Sequence, residues 1–174
     1  MTNEVHIRQA VPEDVPALMG LILTAMTQYA HHSGITTLLD SQKETAADVL
    51  LHVVEDMVLV AESRGHLAGT VRLTIQPDGT AYFSRFAVYA QRQQSGIGKH
   101  LFEAAEIYLR QAGVTEILLH TAINNKPLVG LYTARGFELV SVSHDRGYAR
   151  GTFRKMMVKD PAAAPEFQEN CAKP

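Results

Sequence analysis

Apolar residues recur along the chain with two different periods. From Pro12 to about Ala30, Val15, Leu18, Leu21, Ile22 and Ala25 follow an i, i+3, i+4 spacing, which predicts a helix with one buried face. Glu13 and Asp14 suit its first turn, and Gly34 is placed to end it. A second helical stripe runs through Ala47, Leu50, Leu51 and Val54, and Ser41 with Glu44 offers it a capping box. The period then changes. In 57-MVLVAESRGHLAGTVRLTI-75 two β-branched runs flank Arg64-Gly65, which predicts a hairpin. Pro77-Asp78-Gly79 turns the chain into a third strand, 81-AYFSRFAV-88.

Helical spacing returns at Leu101, Ala104, Ala105, Tyr108, Leu109 and Ala112, and Gly113 closes that helix. A buried strand follows, 116-EILLHTA-122. Next comes a short helix opened by Asn124-Asn125-Lys126-Pro127 and ended by Gly136. Phe137–Ser143 and Thr152–Val158 predict a final antiparallel pair across 144-HDRGYARG-151. With Val5–Arg8 as a short first strand, the order is β-α-α-β-β-β-α-β-α-β-β. Antiparallel strands come first and one strand–helix–strand crossover lies in the middle. This is an α+β domain with a mixed, mostly antiparallel twisted sheet and flanking helices. It is expected to occupy 1–159 as a single unit. The stretch 160-DPAAAPEFQENCAKP-174 has no apolar period and is expected to be a loosely attached tail.

Composition narrows the function classes. The chain has 174 residues, enough for one sizeable core, with 46% apolar and 20% charged residues. A net charge of −2 supplies no basic field for nucleic acid or an anionic membrane. The lone cysteine, Cys171, gives no internal disulfide. The polar, mixed-charge start does not read as a secretory signal, and 17-ALMGLILTAM-26 is too short to span a bilayer, so a cytoplasmic protein is expected. No spacing of His, Cys or carboxylates suggests a metal site.

The chemistry gathers at 93-QQSGIGKHL-101, between a strand and a helix. It is not a Walker A loop, because Gln93 and His100 stand where Gly and Ser/Thr are needed. A dinucleotide fingerprint would want glycine at Leu101. What remains is a turn in which Gly96 and Gly98 align backbone N–H groups at a helix N-terminus, with Lys99 beside them, as a diphosphate site requires.

The segments 86-FAVYAQRQQSGIGKHLFEAA-105 and 125-NKPLVGLYTARGFELV-140 together resemble the GNAT family of acyl-CoA-dependent N-acetyltransferases. Phe86-Ala87-Val88 matches the apolar-x-Val end of the family's strand, and Gln93, Gly96 and Gly98 match its phosphate loop. Asn125, Leu131-Tyr132 and Gly136-Phe137 match its second motif. The resemblance implies a V-shaped gap between the strand ending at Val88 and strand 116–122, with acetyl-CoA as co-substrate in it. The pantetheine arm would pair with Phe86, Ala87 and Val88, as in β-augmentation. The pyrophosphate would sit on the amides of Gln93, Gln94, Ser95, Gly96, Ile97, Gly98 and Lys99, and Asn125 would contact the arm. It also implies direct acetyl transfer to a primary amine of a small molecule or protein, with Tyr132 protonating the leaving thiolate.

The base stays open. Ser84 stands where many relatives carry a carboxylate, so it serves only by ordering a water. His120, Tyr82 and Glu62 are alternatives, and an amine of low pKa needs none. Arg85 reads first as pairing on the sheet surface and second as facing the acceptor. Tyr29, His31 and His32 read as surface residues between the first two helices, with acceptor-pocket lining as the second reading, and 146-RGYARGTFRK-155 as a solvated hairpin. A homodimer through the late strands follows from family habit alone. A rival reading is a non-catalytic acyl-CoA-binding sensor, which keeps Gln93–Gly98 and does not need Tyr132.

Overall fold

Helix α1, Val15–His32, turns Val15, Leu18, Leu21, Ile22 and Ala30 inward, and their spacing fixes which face meets the sheet. The structure is a computed structural model and describes residues 5–93 and 95–158. The expected tail at 160–174, Cys171 and Gln94 fall outside them. Seven strands form one sheet in the order β1-β2-β3-β4-β5-β7-β6. The strands are β1 Val5–Gln9, β2 Met57–Ser63, β3 His66–Ile75, β4 Thr80–Val88, β5 Glu116–Ala122, β6 Glu138–Ser143 and β7 Arg150–Met156. Every neighbouring pair is antiparallel except β4–β5, which is parallel. The mixed α+β reading therefore holds. The β2–β3 hairpin turns on Arg64 and Gly65, both at positive φ (56° and 74°), the backbone that matches strand twist in a two-residue loop.

The two faces of the sheet carry different helices. Helix α4, Ile97–Gln111, buries Ile97, Leu101, Phe102, Ala105 and Leu109 against Leu59, Ala61, Val71, Leu73 and Phe83. Helix α5, Lys126–Ala134, adds Tyr132 to the same cluster. On the opposite face α1 and α3, Ala46–Glu55, cover Val58 and Val60 with Val15, Leu18, Val49 and Val53. The alternation of Val58 and Val60 with Leu59 and Ala61 gives β2 two buried faces, as its near-continuous apolar run requires. Among the described residues no helix is long and apolar enough to cross a membrane.

One boundary differs from expectation. The capping box of the second long helix is Thr45 with Asp48, not Ser41 with Glu44. Asp48 N–H donates to Thr45 Oγ1 at 3.3 Å, and Thr45 N–H donates to Asp48 Oδ2 at 2.8 Å. Ser41 instead lies in a separate single turn, α2, Asp40–Lys43. Glu44 is drawn away from capping because two arginines, Arg72 and Arg85, converge on it.

Candidate active site

β4 and β5 begin side by side and then part. Thr80 pairs with Glu116, Ala81 with Ile117 and Tyr82 with Leu118, and the ladder stops there. Arg85 sits at φ 51° where the β3–β4 register slips, a bulge that gives β4 an extra residue beside the divergence. Such a φ is uncommon for a residue with a Cβ and is held here by the surrounding structure. The gap that opens is a cavity of about 1270 Å³ running from Tyr82 and His120 to Gly96, Gly98 and Lys99.

At one end lies the glycine turn. Gly96 takes the left-handed φ 84° immediately before α4, which an alanine would enter only with strain. The first intrahelical bond is His100 N–H to Gly96 O at 3.0 Å, so the N–H groups just ahead of it have no intrahelical partner. A Cβ on Gly98 would stand 3.3 Å from Phe86 Cζ, so glycine lets the helix start approach the strand end. Phe86, Ala87, Val88, Gln93, Gly96, Gly98 and Lys99 all line the cavity. Gln93 donates from Nε2 to Val88 O at 3.2 Å, tying turn to strand. The Ile97 side chain is buried in the α4 core, and the exposed Ser95 hydroxyl donates to Arg92 O. Their side chains thus serve the turn, leaving the cavity to the backbone.

Asn125 caps α5 by accepting from Leu128 N–H at 3.3 Å and donates to Ser33 Oγ at 3.2 Å. It is buried and also lines the cavity. Tyr132 reaches the same wall from α5, packed edge-on to Phe83 and Phe137. Burial raises its pKa well above the ordinary phenol value, so the hydroxyl keeps its proton at neutral pH.

The other end is built on the opposite sheet face. Residues paired across the ladders share a face, so Tyr82, His120 and Arg150 project to the side away from Phe83, Leu119 and Phe153. Tyr82 Oη and His120 Nδ1 share a short hydrogen bond, and Arg150 Nη2 donates to Tyr82 Oη at 3.4 Å. Arginine can only donate, which leaves the tyrosine proton for a neutral imidazole. Burial, followed by the charges of Arg150 and Arg146, lowers the His120 pKa to about 4. Ser84 lines the cavity from the same strand.

Several residues occupy places that differ from the sequence reading. Tyr29, His31 and His32 lie within the last turns of α1 rather than between helices. Tyr29 Oη accepts from Ala122 N–H at 2.7 Å, and Tyr29 and His32 line the cavity. Arg146 and Arg150 line it too, instead of belonging wholly to a solvated hairpin, because β7 pairs with β5 and sets Arg150 beside Ala122. Arg85 is paired, as expected, but with Glu44. Glu62 is held by Arg8 at 2.5 Å and does not line the cavity. Among the described residues no group of three or more His, Cys, Asp or Glu is placed to hold a metal.

Residues 29–137 match the sequence model of the acetyltransferase (GNAT) family. The chain is 28% identical over 156 residues to a mycothiol acetyltransferase of Saccharomonospora viridis. That match covers 85% of this chain and 50% of the relative, so the chain spans about half the length of the curated relative it matches. In fold it is similar to PaiA N-acetyltransferase of Thermoplasma acidophilum, solved in complex with coenzyme A. The TM-score is 0.78 at 20% identity, covering 88% of this chain and 99% of that one. The ribosomal-protein-S18-alanine N-acetyltransferase of Escherichia coli superposes with TM-score 0.67 at 16% identity, covering 88% and 94%.

Proposed function

Because the chain belongs to the acetyltransferase (GNAT) family, we propose that it moves the acetyl group of acetyl-CoA to a primary amine by direct attack within a ternary complex. The observation that carries this reading is the parting of β4 from β5 beside the Gly96–Lys99 helix start. One cavity then offers an unpaired strand edge for the amides of a pantetheine arm and a helix N-terminus for its pyrophosphate. In this reading Phe86, Ala87 and Val88 would pair with the pantetheine arm and the turn from Gln93 to Lys99 would take the pyrophosphate, a reading supported by their lining one space.

The amine nitrogen attacks the thioester carbonyl, the carbon–sulfur bond breaks, and the acceptor nitrogen gives up one proton. An alkylamine of pKa ~10.4 is mostly charged at pH 7, a deficit of about 4–5 kcal/mol in neutral amine. The Tyr82–His120 pair supplies a neutral acceptor that passes protons toward water, and Ser84 can order a water beside it. With a pKa of about 4 the imidazole is a relay rather than a strong base. Tyr132 protonates the leaving thiolate. His120→Gln is therefore expected to lower kcat about tenfold, less than the ~10²–10⁴-fold of a true general base. A kcat within twofold of the wild-type value at saturating amine would remove His120 from the proton path.

The reading is tested by thermal unfolding with acetyl-CoA, free CoA, ATP and NAD, followed by thiol release over an amine panel. Ligand at a hundred times Kd adds ~2.7 kcal/mol, a shift of roughly 5–10 °C for a domain of this size. Shifts with both CoA compounds alone, and thiol release, are expected. No shift up to millimolar CoA ends the proposal, and a shift without release in any amine favours the sensor reading.

A further inference from the structure

The acceptor end of the cavity holds more positive charge than its carboxylates neutralise. Arg85 and the buried Arg72 share the single carboxylate of Glu44, at 2.9 and 2.7 Å. Arg146 pairs with Asp40, which also meets Lys43 at 3.6 Å. Among the described residues Arg150 makes no ion pair, and its side-chain hydrogen bond is the long one to Tyr82. Asp145, on the same hairpin loop, is exposed and engaged by Ser143. Of the described residues lining the cavity, Asp40 is the one carboxylate, against Arg85, Arg146 and Arg150 at this end.

A half-buried guanidinium with no ion-pair partner in the cavity, felt only at a distance by the exposed Asp145, carries a desolvation cost that an incoming anion would relieve. Its remaining N–H groups form a planar fork suited to a carboxylate or phosphate. A polyamine, an aminoglycoside or a lysine-rich peptide would meet repulsion here. The low pKa of His120 reports the same field, since Arg150 and Arg146 add to burial in opposing its protonation. The walls limit size as well. Tyr29, Leu39 and Tyr148 pack around Ala30, Ile35 and Ala122, and the Arg146–Asp40 pair ties the β6–β7 loop to α2 across this end.

Resting on the acetyl-transfer reading, we propose that the acceptor is a small amine carrying its own oxyanion, a carboxylate or a phosphate, and that Arg150 recognises that group. The amine then lies toward the gap between β4 and β5 while the oxyanion is held at the far wall. Arg85 and Arg146 stay fixed by Glu44 and Asp40 and supply background field.

The test is thiol release from acetyl-CoA with L-alanine, β-alanine and aminoethyl phosphate, set against ethylamine, propylamine and an alanyl peptide amide. A charge-assisted contact of about 1.5–3 kcal/mol corresponds to roughly 10–100-fold in kcat/KM for the anionic amines. The amino acids and the phosphate separate the two sources of the oxyanion. Arg150→Gln is expected to collapse that preference about tenfold or more, with the loss in KM for the anionic amines rather than in kcat. Equal or better turnover of the alkylamines or the peptide amide overturns the inference and leaves acetyl transfer standing. So does an Arg150→Gln variant that lowers all amines alike. Release from none of the panel, while acetyl-CoA still shifts unfolding, removes the transfer reading and this inference together.

Discussion

Tyr132→Phe will lower kcat by ~10²–10³-fold, while KM for acetyl-CoA moves by less than about threefold. The residue is 6% exposed and its ring packs in the core, yet it borders the cavity from α5. Phenylalanine keeps the ring contacts with Phe83, Phe102 and Phe137. Only the hydroxyl is lost. Burial holds the phenol protonated far above neutral pH, as a group that donates to a departing thiolate must be. A thiolate leaving without a donor must wait for solvent, and that wait appears in kcat. The decisive comparison is kcat at saturating amine and acetyl-CoA, alongside unfolding midpoints of the two proteins. An unchanged kcat with an intact midpoint would make Tyr132 a packing residue.

Glu44→Gln will destabilise the protein by about 3–5 kcal/mol, the cost of removing one partner from a buried ion pair. The Glu44 side chain is 12% exposed and that of Arg72 is 6% exposed. Arg72 Nε already lacks a hydrogen-bond partner, so the rest of its guanidinium depends on this carboxylate. Removing the charge leaves Arg72 and Arg85 facing each other. For a domain of this length the midpoint should fall by roughly 6–20 °C.

Acid titration of the same variant checks the cause. Burial works against the Glu44 carboxylate, but the hydrogen bonds from Arg72 and Arg85 outweigh it and hold its pKa below the ordinary value of 4.5. A depressed carboxylate stabilises the fold above its unfolded pKa, and that stability is lost as pH falls through the folded pKa. His120 adds an earlier loss. Its folded pKa of about 4 lies under the ordinary 6.5, so the unfolded chain takes up the proton first between those values. Unfolding midpoints measured from pH 8 to 3 should decline in two stages, and in Glu44→Gln the lower one should shrink, with Asp14 and Asp40, also held low by arginines, supplying what remains. A lower stage of undiminished size in the variant would place the coupling elsewhere.

The elements legible in the sequence were those set by local pattern. The Arg64-Gly65 hairpin, the α4 stripe and the Gly96-Ile97-Gly98 turn each depend on residues close together in the chain. The cavity wall from Phe86 to Lys99 was readable for that reason, since it is one continuous stretch. What escaped depends on pairing between distant segments. Ser41 with Glu44 and Thr45 with Asp48 both fit a capping box. Choosing between them requires knowing that Arg72 and Arg85 converge on Glu44. Arg146 and Arg150 read as solvated because a net charge of −2 describes the whole chain and hides a local excess. Only the β5–β7 register brings Arg150 beside His120 and Tyr82.

The parting of β4 and β5 also divides the molecule by how each end was assembled. One end rests on a single run of backbone, where amides and glycine dihedrals matter more than side chains. The other is drawn from α1, α2, two strand ends and the β6–β7 loop, with α1 alone contributing Ala25, Met26, Gln28, Tyr29 and His32. Substitutions at Tyr29, Leu39, Tyr148 or Arg150 lie on elements that do not form the glycine turn. Under the proposed acetyl transfer, such a layout lets acceptor choice drift, or be redesigned, one side chain at a time while the thioester donor stays the same.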